Sequence, residues 1–171
     1  MTPLVSQLWP QFMADPDFAA SFGRVIVEHA RLLRQERQVV FTLRSAAPLD
    51  KGLCARLLAS LQPDYEGFEL KINNLFGYAT LDEAALRELM EEMKRDGIPI
   101  NGFLDRCRIT ITGQNITVGV CHGTKFLQEM EFERLLADRV AAHTGVRPKV
   151  TLTSAVDEAE QRQKEIGRAH V

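Results

Sequence analysis

The chain has 171 residues, of which 45% are hydrophobic, and it is long enough for one ordinary domain or two small ones. Scattered Phe, Val and Leu exclude a disordered tail or a coiled coil, and no apolar run approaches the ~20 residues of a membrane span. The chain has 21 lysine and arginine residues and 23 aspartate and glutamate residues. This balance excludes a protein whose whole surface binds nucleic acid. Three widely spaced cysteines without a CxxC pair, and a start that lacks an export signal, predict a cytoplasmic protein.

The first half of the chain is predicted to contain a helix, a β-hairpin, a second helix and a strand. Apolar residues over 4–12 recur at helical spacing, and the Asp-Pro-Asp sequence at 15–17 is expected to break that helix. Alternating β-branched runs on both sides of the polar segment 34–37 predict a hairpin. Leucines at helical spacing predict a helix over 48–61, which opens with a proline, and a strand is expected over 67–76.

The second half repeats this order of elements. The segment 80–83, Thr-Leu-Asp-Glu, matches a capping box and predicts a helix that ends at Gly97. Alternating residues on both sides of 113–114 predict a second hairpin. A long amphipathic helix over 125–143 and a last strand at 150–152 complete the pattern.

The fold class predicted from this repetition is α+β, with two small consecutive units, each in the order helix, β-hairpin, helix, strand. The first unit is expected over residues 1–77 and the second over 78–154, followed by a polar linker over 155–171. Residues 165–171 match what one reading frame of a widely used short-read sequencing adapter encodes. We expect this end to be an assembly artefact and the natural chain to continue.

No motif for catalysis or nucleotide binding is visible, whether GxGxxG, P-loop, GxSxG or HExxH. Four residues could be read as a metal site, namely Cys107, Cys121, His122 and His143. Adjacent strand residues point to opposite faces and no second close ligand pair exists, so ordinary structural roles are preferred. The acidic cluster of one helix is predicted to be a solvated face, and it comprises Glu88, Glu91 and Glu92. We therefore predict no catalytic, cofactor-binding or metal-binding residue in this chain.

The first hairpin carries a local excess of positive charge. Residues 24–44 contain five arginines and two glutamates, a balance of +3. Because the guanidinium fork suits phosphates and carboxylates, Arg31, Arg34 and Arg37 are candidate contacts for DNA or for an acidic partner. The alternative is that they are ordinary outward-facing strand residues. On the first helix, Trp9 and Phe12 are candidate docking anchors, with a core role as the alternative for Trp9.

A family resemblance emerges from the centre of the chain onward. The sequence LQPDY at 61–65, the helix at 81–96, and IPINGFL at 98–104 before a hairpin at 108–118 resemble the start of the PolC-type DNA polymerase III alpha subunit. That subunit is the large replicative polymerase of low-GC Gram-positive bacteria. The resemblance covers about residues 4–154 and depends on the order and spacing of the elements.

The resemblance implies that domain I, residues 1–77, is similar to the polymerase-binding end of the clamp-loader tau subunit, and that domain II, residues 78–154, is KH-like. In the family, an oligonucleotide-binding barrel, a phosphoesterase-like domain with an inserted proofreading exonuclease, and the polymerase palm follow. The parent protein would be a DNA-directed DNA polymerase whose Mg²⁺ ligands lie beyond this chain, so no cofactor is expected here. A KH module clamps nucleotides with a GxxG loop between two helices, whereas Gly123-Thr124-Lys125-Phe126 lacks the second glycine.

Three classes of function are then compared. The first is non-catalytic protein docking within the replisome, with the clamp-loader tau subunit or the helicase as partner. The second is a single-stranded nucleic-acid-binding module that guides the template, and the third is a small free-standing enzyme. Residues 79–154 contain ten basic and eleven acidic groups, which disfavours a strand-binding groove. The missing nucleophile–base arrangement disfavours an enzyme. We therefore expect docking.

Overall fold

A computed structural model of the chain describes residues 2–100 and 102–154. The chain divides into two units, one up to Leu81 and one from Asp82, whereas the sequence predicts the boundary after Gly77. Each unit combines helices with a three-stranded mixed sheet, so the predicted α+β fold class is confirmed. The predicted polar linker at 155–171, with its adapter-like end, lies outside the described residues.

The first unit is built on a sheet whose central strand has one antiparallel and one parallel neighbour. Its elements in chain order are the helices α1 (Val5–Leu8) and α2 (Pro16–Phe22), the strands β1 (Ile26–Leu33) and β2 (Gln38–Arg44), the helix α3 (Lys51–Leu61) and the strand β3 (Glu69–Leu75). Short 3₁₀ turns lie at Pro10–Ala14, Gln62–Tyr65 and Tyr78–Thr80. Strand β2 pairs antiparallel with β1 and parallel with β3, and α3 provides the crossover that parallel pairing requires.

The second unit repeats this sheet topology. Its elements are the helix α4 (Glu83–Arg95), the strands β4 (Arg108–Thr112) and β5 (Asn115–Val120), the helices α5 (Thr124–Glu129) and α6 (Phe132–Thr144), and the strand β6 (Lys149–Ser154). Strand β5 lies in the centre, antiparallel to β4 and parallel to β6. The two units therefore share the same strand order and the same strand directions.

Each core lies on one face of its sheet. In the first unit, alternate residues of β2 face the helices and pack with side chains of α2 and α3. The buried set includes Val5, Phe18, Phe22, Val39, Phe41, Leu43, Leu57 and Leu61. In the second unit the equivalent set comes from α4, β5, α5 and α6, and includes Leu86, Met93, Ile116, Val118, Leu127, Phe132, Leu136 and Val140. The helical and alternating apolar patterns of the sequence are therefore the core-facing patterns.

The predicted first helix is shorter than expected and a second helix follows it. Helix α1 ends at Leu8 because Pro10 disfavours helical backbone at the preceding residue, and a 3₁₀ turn continues the chain. The Asp-Pro-Asp sequence begins a helix instead of ending one. Asp15 is the N-cap of α2, and its carboxylate accepts hydrogen bonds from the backbone N–H groups of Asp17 (2.9 Å) and Phe18 (3.4 Å).

Two predicted features of the second unit are wrong. The N-cap of α4 is Asp82, which accepts a 2.8 Å hydrogen bond from the Ala85 N–H, whereas the Thr80 hydroxyl donates to the Gly77 carbonyl (2.7 Å). The predicted helix over 125–143 is broken at Glu131, where φ is +60°. This turn separates α5 from α6, and Phe132, which follows it, is fully buried.

The burial pattern predicts how two leucine truncations differ. Leu43 is fully buried in β2, so Leu43→Ala should lower the free energy of unfolding of the first unit by about 2–5 kcal/mol. Leu32 is 51% exposed, and Leu32→Ala should change the free energy of unfolding by less than about 0.5 kcal/mol. Urea unfolding followed by fluorescence measures both, because the single tryptophan, Trp9, packs against Phe41 in this core. Equal effects of the two substitutions would contradict the core described here.

Candidate functional site

The structure brings the three candidate arginines to one end of the first hairpin. Strands β1 and β2 are joined by a turn over 34–37, whose two ends are Arg34 and Arg37. Arg37 has a left-handed φ of +52°, which costs an L-residue about 1–2 kcal/mol. Its carbonyl accepts a 2.8 Å hydrogen bond from the Glu69 N–H, so the start of β3 holds the turn in place. Arg31 lies on β1 directly opposite Val40.

The sheet face turned away from the core is polar and carries further positive charge. Arg31, Val40 and Lys71 pair in one row across the three strands, and paired residues point to the same face. In the row nearer the turn, the Gln38 amide donates a 3.2 Å hydrogen bond to the Glu69 carboxylate. The positive side chains of Arg31 and Lys71 therefore flank the uncharged Val40 of the central strand.

The charges of the three arginines are not neutralised within the first unit. Arg31, Arg34 and Arg37 are exposed, and none forms an ion pair with any residue that the structure describes. Arg44 behaves differently, since its Nε lies 2.5 Å from Glu28 Oε1. The arginine turn, defined here as Arg31, Arg34 and Arg37, is therefore a free cationic feature.

An exposed apolar side chain lies beside the arginine turn. Leu32 is opposite Val39 and so points to the core side of the sheet, yet it is 51% exposed. Ala30, opposite the buried Phe41, is also exposed. The core side chains cover the central strand at these positions and leave the distal part of β1 uncovered. This end of β1 therefore presents Ala30 and Leu32 on the core side and Arg31 on the opposite face.

The two candidate docking anchors contribute to the core of the first unit. The Trp9 ring meets the Phe41 ring edge-on, with centroids 5.5 Å apart. The Phe12 and Phe18 rings are 5.7 Å apart. Both candidate side chains are half-buried against the core cluster, so each presents only part of its surface to a partner.

The four residues considered as a metal site lie in different environments, and among them His122 is exposed with its ring centroid 5.6 Å from that of Phe103. Cys121 is exposed, and its Sγ lies 3.9 Å from the Arg106 carbonyl. Cys107 is buried, and this burial raises the pKa of its thiol. His143 is buried beside Glu92, with 3.1 Å between Nε2 and Oε1. Across residues 2–100 and 102–154, no three His, Cys, Asp or Glu side chains are grouped so that they could hold a metal ion.

One predicted solvent-facing acid is instead part of a charged cluster between two helices. Glu88 and Glu91 are exposed on α4 as expected, but the prediction is wrong for Glu92. Its Oε1 accepts a 2.8 Å hydrogen bond from Arg139 Nη1 and lies close to His143 on α6. Burial alone would raise the pKa of Glu92, but the hydrogen bonds and charges of His143 and Arg139 outweigh burial and lower that pKa. The cluster therefore links α4 to α6.

The paired helices of the second unit lack the glycine loop of a nucleotide clamp. Gly123 precedes α5, and an added Cβ there would overlap the Phe103 ring. At the junction of α5 and α6 the chain carries Met130 and Glu131 in place of glycines. The carboxylate of Glu131 pairs with Arg134 at 2.8 Å. Glu129, Glu131 and Glu133 outnumber Arg134 around this junction, and an excess of negative charge is unfavourable for phosphate binding.

Comparison with protein-family models, curated proteins and solved structures returned no match for this chain. Within the described part of the chain, every helix is too short or too polar to cross a membrane. The family resemblance and the partners it implies therefore stay predictions.

The Glu92 cluster predicts a specific dependence of stability on pH. A carboxylate whose folded pKa is lowered stabilises the fold above its unfolded pKa, about 4.3, and this contribution is lost as pH falls through the folded pKa. Glu92→Gln should therefore lower the free energy of unfolding near neutral pH by about 1.5–3 kcal/mol. The free energy of unfolding of this variant should also fall less steeply than that of the wild type as the pH is lowered. Urea unfolding by far-UV circular dichroism measures this, with Trp9 fluorescence reporting the first unit separately. The exposed Glu129→Gln is the control, and identical pH profiles for Glu92→Gln and wild type would refute the assignment.

Proposed function

We propose that this chain is the non-catalytic N-terminal region of a PolC-type replicative DNA polymerase and that it docks proteins within the replisome. The expected partners are the clamp-loader tau subunit or the helicase. Support comes from the sequence resemblance over about residues 4–154 and from the surface of the first unit. Polymerisation, proofreading and their Mg²⁺ ions belong, in this proposal, to domains that follow in the family.

The observation that carries the docking proposal is the arginine turn next to Leu32. Three exposed arginines without an ion pair among the described residues lie beside a leucine that is 51% exposed. Arginine is enriched at protein interfaces, because its planar group combines apolar contact with bidentate hydrogen bonds to carboxylates. A surface of this composition favours an acidic protein segment over a neutral one.

A second candidate function, binding of single-stranded nucleic acid, has one observation in its favour. The outward face of the second sheet carries Arg108 and Lys149, with a row of Thr110, Thr117 and Thr151 across the three strands. Hydroxyl and cationic side chains of this kind contact phosphates. No aromatic residue lies in these strands for base stacking, however, and the α5–α6 junction is acidic. Docking is therefore the better-supported function.

A titration with labelled oligonucleotide distinguishes the two functions. For a docking region, we expect fluorescence anisotropy to give a dissociation constant weaker than about 10 μM at about 200 mM salt. The triple variant Arg31→Glu, Arg34→Glu, Arg37→Glu should remove what binding remains at low salt. The matched control reverses three exposed arginines that lie outside both candidate surfaces, Arg24→Glu, Arg95→Glu and Arg106→Glu. Submicromolar binding near physiological salt would favour the nucleic-acid function and overturn docking.

Deleting residues 1–154 from the full-length polymerase tests the role in the replisome. Extension of a short primed template should be nearly unchanged, because the reacting groups lie in other domains of the proposed enzyme. Synthesis coupled to the clamp loader and the helicase should be reduced, because the tethered local concentration of the partner is lost. Single-nucleotide incorporation and leading-strand product length measure the two effects. Loss of incorporation on the short template would show that this region belongs to the active polymerase machinery.

A further inference from the structure

One edge of β1 already accepts an extended segment of its own chain. The Val5 N–H donates to the Val25 carbonyl, and the Val27 N–H donates to the Pro3 carbonyl, each at 2.8 Å. Leu4 and Ile26 form an isolated antiparallel bridge between these two hydrogen bonds. The edge that β1 turns away from β2 is therefore competent for strand pairing.

Beyond Val27 the same edge has no partner among residues 2–100 and 102–154. No backbone hydrogen bond joins residues 28–33 to a described segment other than β2. The register is irregular only around Glu28, and the five pairs from His29↔Thr42 to Leu33↔Gln38 are consecutive. Five regular residues form an edge long enough to pair with a short peptide strand.

The side chains along this free edge have a definite chemical character. Ala30 and the 51% exposed Leu32 point to the core side, while Arg31 points to the opposite face. Arg34 and Arg37 lie at the turn that ends the strand. A strand paired here would meet Ala30 and Leu32 on one side, and Arg31 with the half-buried Leu33 on the other.

We propose that residues 29–33 of β1 bind an extended, acidic peptide of a partner protein as an added strand of the first sheet. This inference rests on the proposed docking function and specifies its surface and the chemistry of its partner. The peptide's backbone hydrogen-bonds to β1, one apolar side chain packs on Leu32, and alternate acidic side chains pair with Arg31 and the turn.

Charge selects this occupant over the alternatives. A second copy pairing through its own β1 would bring two arginine turns into the same sheet, and like charges on paired strands repel each other. An oligonucleotide would meet the arginines but would leave the backbone groups of β1 and the Leu32 side chain without partners. Positive side chains on an edge strand also discourage indiscriminate strand pairing, so they admit acidic segments and reject others.

Selection of peptides from a random displayed library on the immobilised full chain tests the proposal. We expect the selected peptides to be net negative with apolar residues at alternate positions. In heteronuclear NMR, the largest amide shift changes on adding a synthetic selected peptide should fall on residues 29–33. N-methylation of the alternate peptide amides that face β1 should weaken binding at least about tenfold, as expected when strand hydrogen bonds carry affinity.

Matched variants separate the surface from general effects on folding. The triple variant Arg31→Glu, Arg34→Glu, Arg37→Glu and the single variant Leu32→Glu should each weaken binding of the selected peptide at least about tenfold. Charge reversal at Arg95, Arg106 and Arg108, and Leu8→Glu at another exposed leucine, should leave binding unchanged. Unchanged Trp9 fluorescence verifies that the first unit of each variant is folded.

Several results would overturn the proposal. The library could fail to enrich any sequence, the amide shift changes could fall outside the first hairpin, or the triple variant could bind the peptide as tightly as the wild type. Displacement of the peptide by an oligonucleotide but not by a charge-matched peptide, or a dimer that forms through β1, would also overturn it. The outcome is independent of the deletion experiment. Peptide binding at β1 with normal coupled synthesis after deletion refutes the replisome role alone, whereas reduced coupled synthesis without peptide binding refutes the β1 inference alone.

Discussion

The central strand of each unit pairs antiparallel on one side and parallel on the other, and the rest of the architecture depends on this. A parallel neighbour requires a crossover, and in both units helices provide it, α3 in the first and α5 with α6 in the second. The apolar side of each sheet is buried beneath these helices, and both neighbours of the central strand are edge strands. The pairing of β2 and β5 thus determines both where the cores lie and which strands stay free.

The free edge strands differ in how their exposed backbone is protected. In the first unit, Pro3–Val5 pairs with the start of β1, and a register irregularity at Glu28 follows. Only the last part of β1 is left open, and there arginines flank Leu32. In the second unit β4 is five residues long and continuous in register, with Ile109 and Ile111 half-buried. Short length limits unwanted strand pairing at β4, whereas positive charge limits it at β1.

Charged residues are distributed according to their burial. Arg139 is 21% exposed and binds both Glu92 (2.8 Å) and Asp96 (2.6 Å), because a largely buried guanidinium must be paired. Exposed pairs such as Arg87–Glu83 contribute little stability in water. The arginine turn has neither burial nor a partner in the described chain, so its charge is free for an external ligand. Stability and recognition therefore use different arginines of the same sequence.

The sequence by itself determined the fold class, the alternation of the strands and the position of the first hairpin, because these depend on local periodicity and on a polar turn. It also identified the arginine turn, since charge is a property of composition. Only the tertiary structure decided that the chain turns at Glu131, that Glu92 is paired and that Leu32 is exposed. These outcomes depend on packing and on partners distant in sequence: Phe132 enters the core directly after the turn, Arg139 pairs with Glu92, and the uncovered end of β1 leaves Leu32 in solvent. A pattern read along one segment contains no information on what another segment covers.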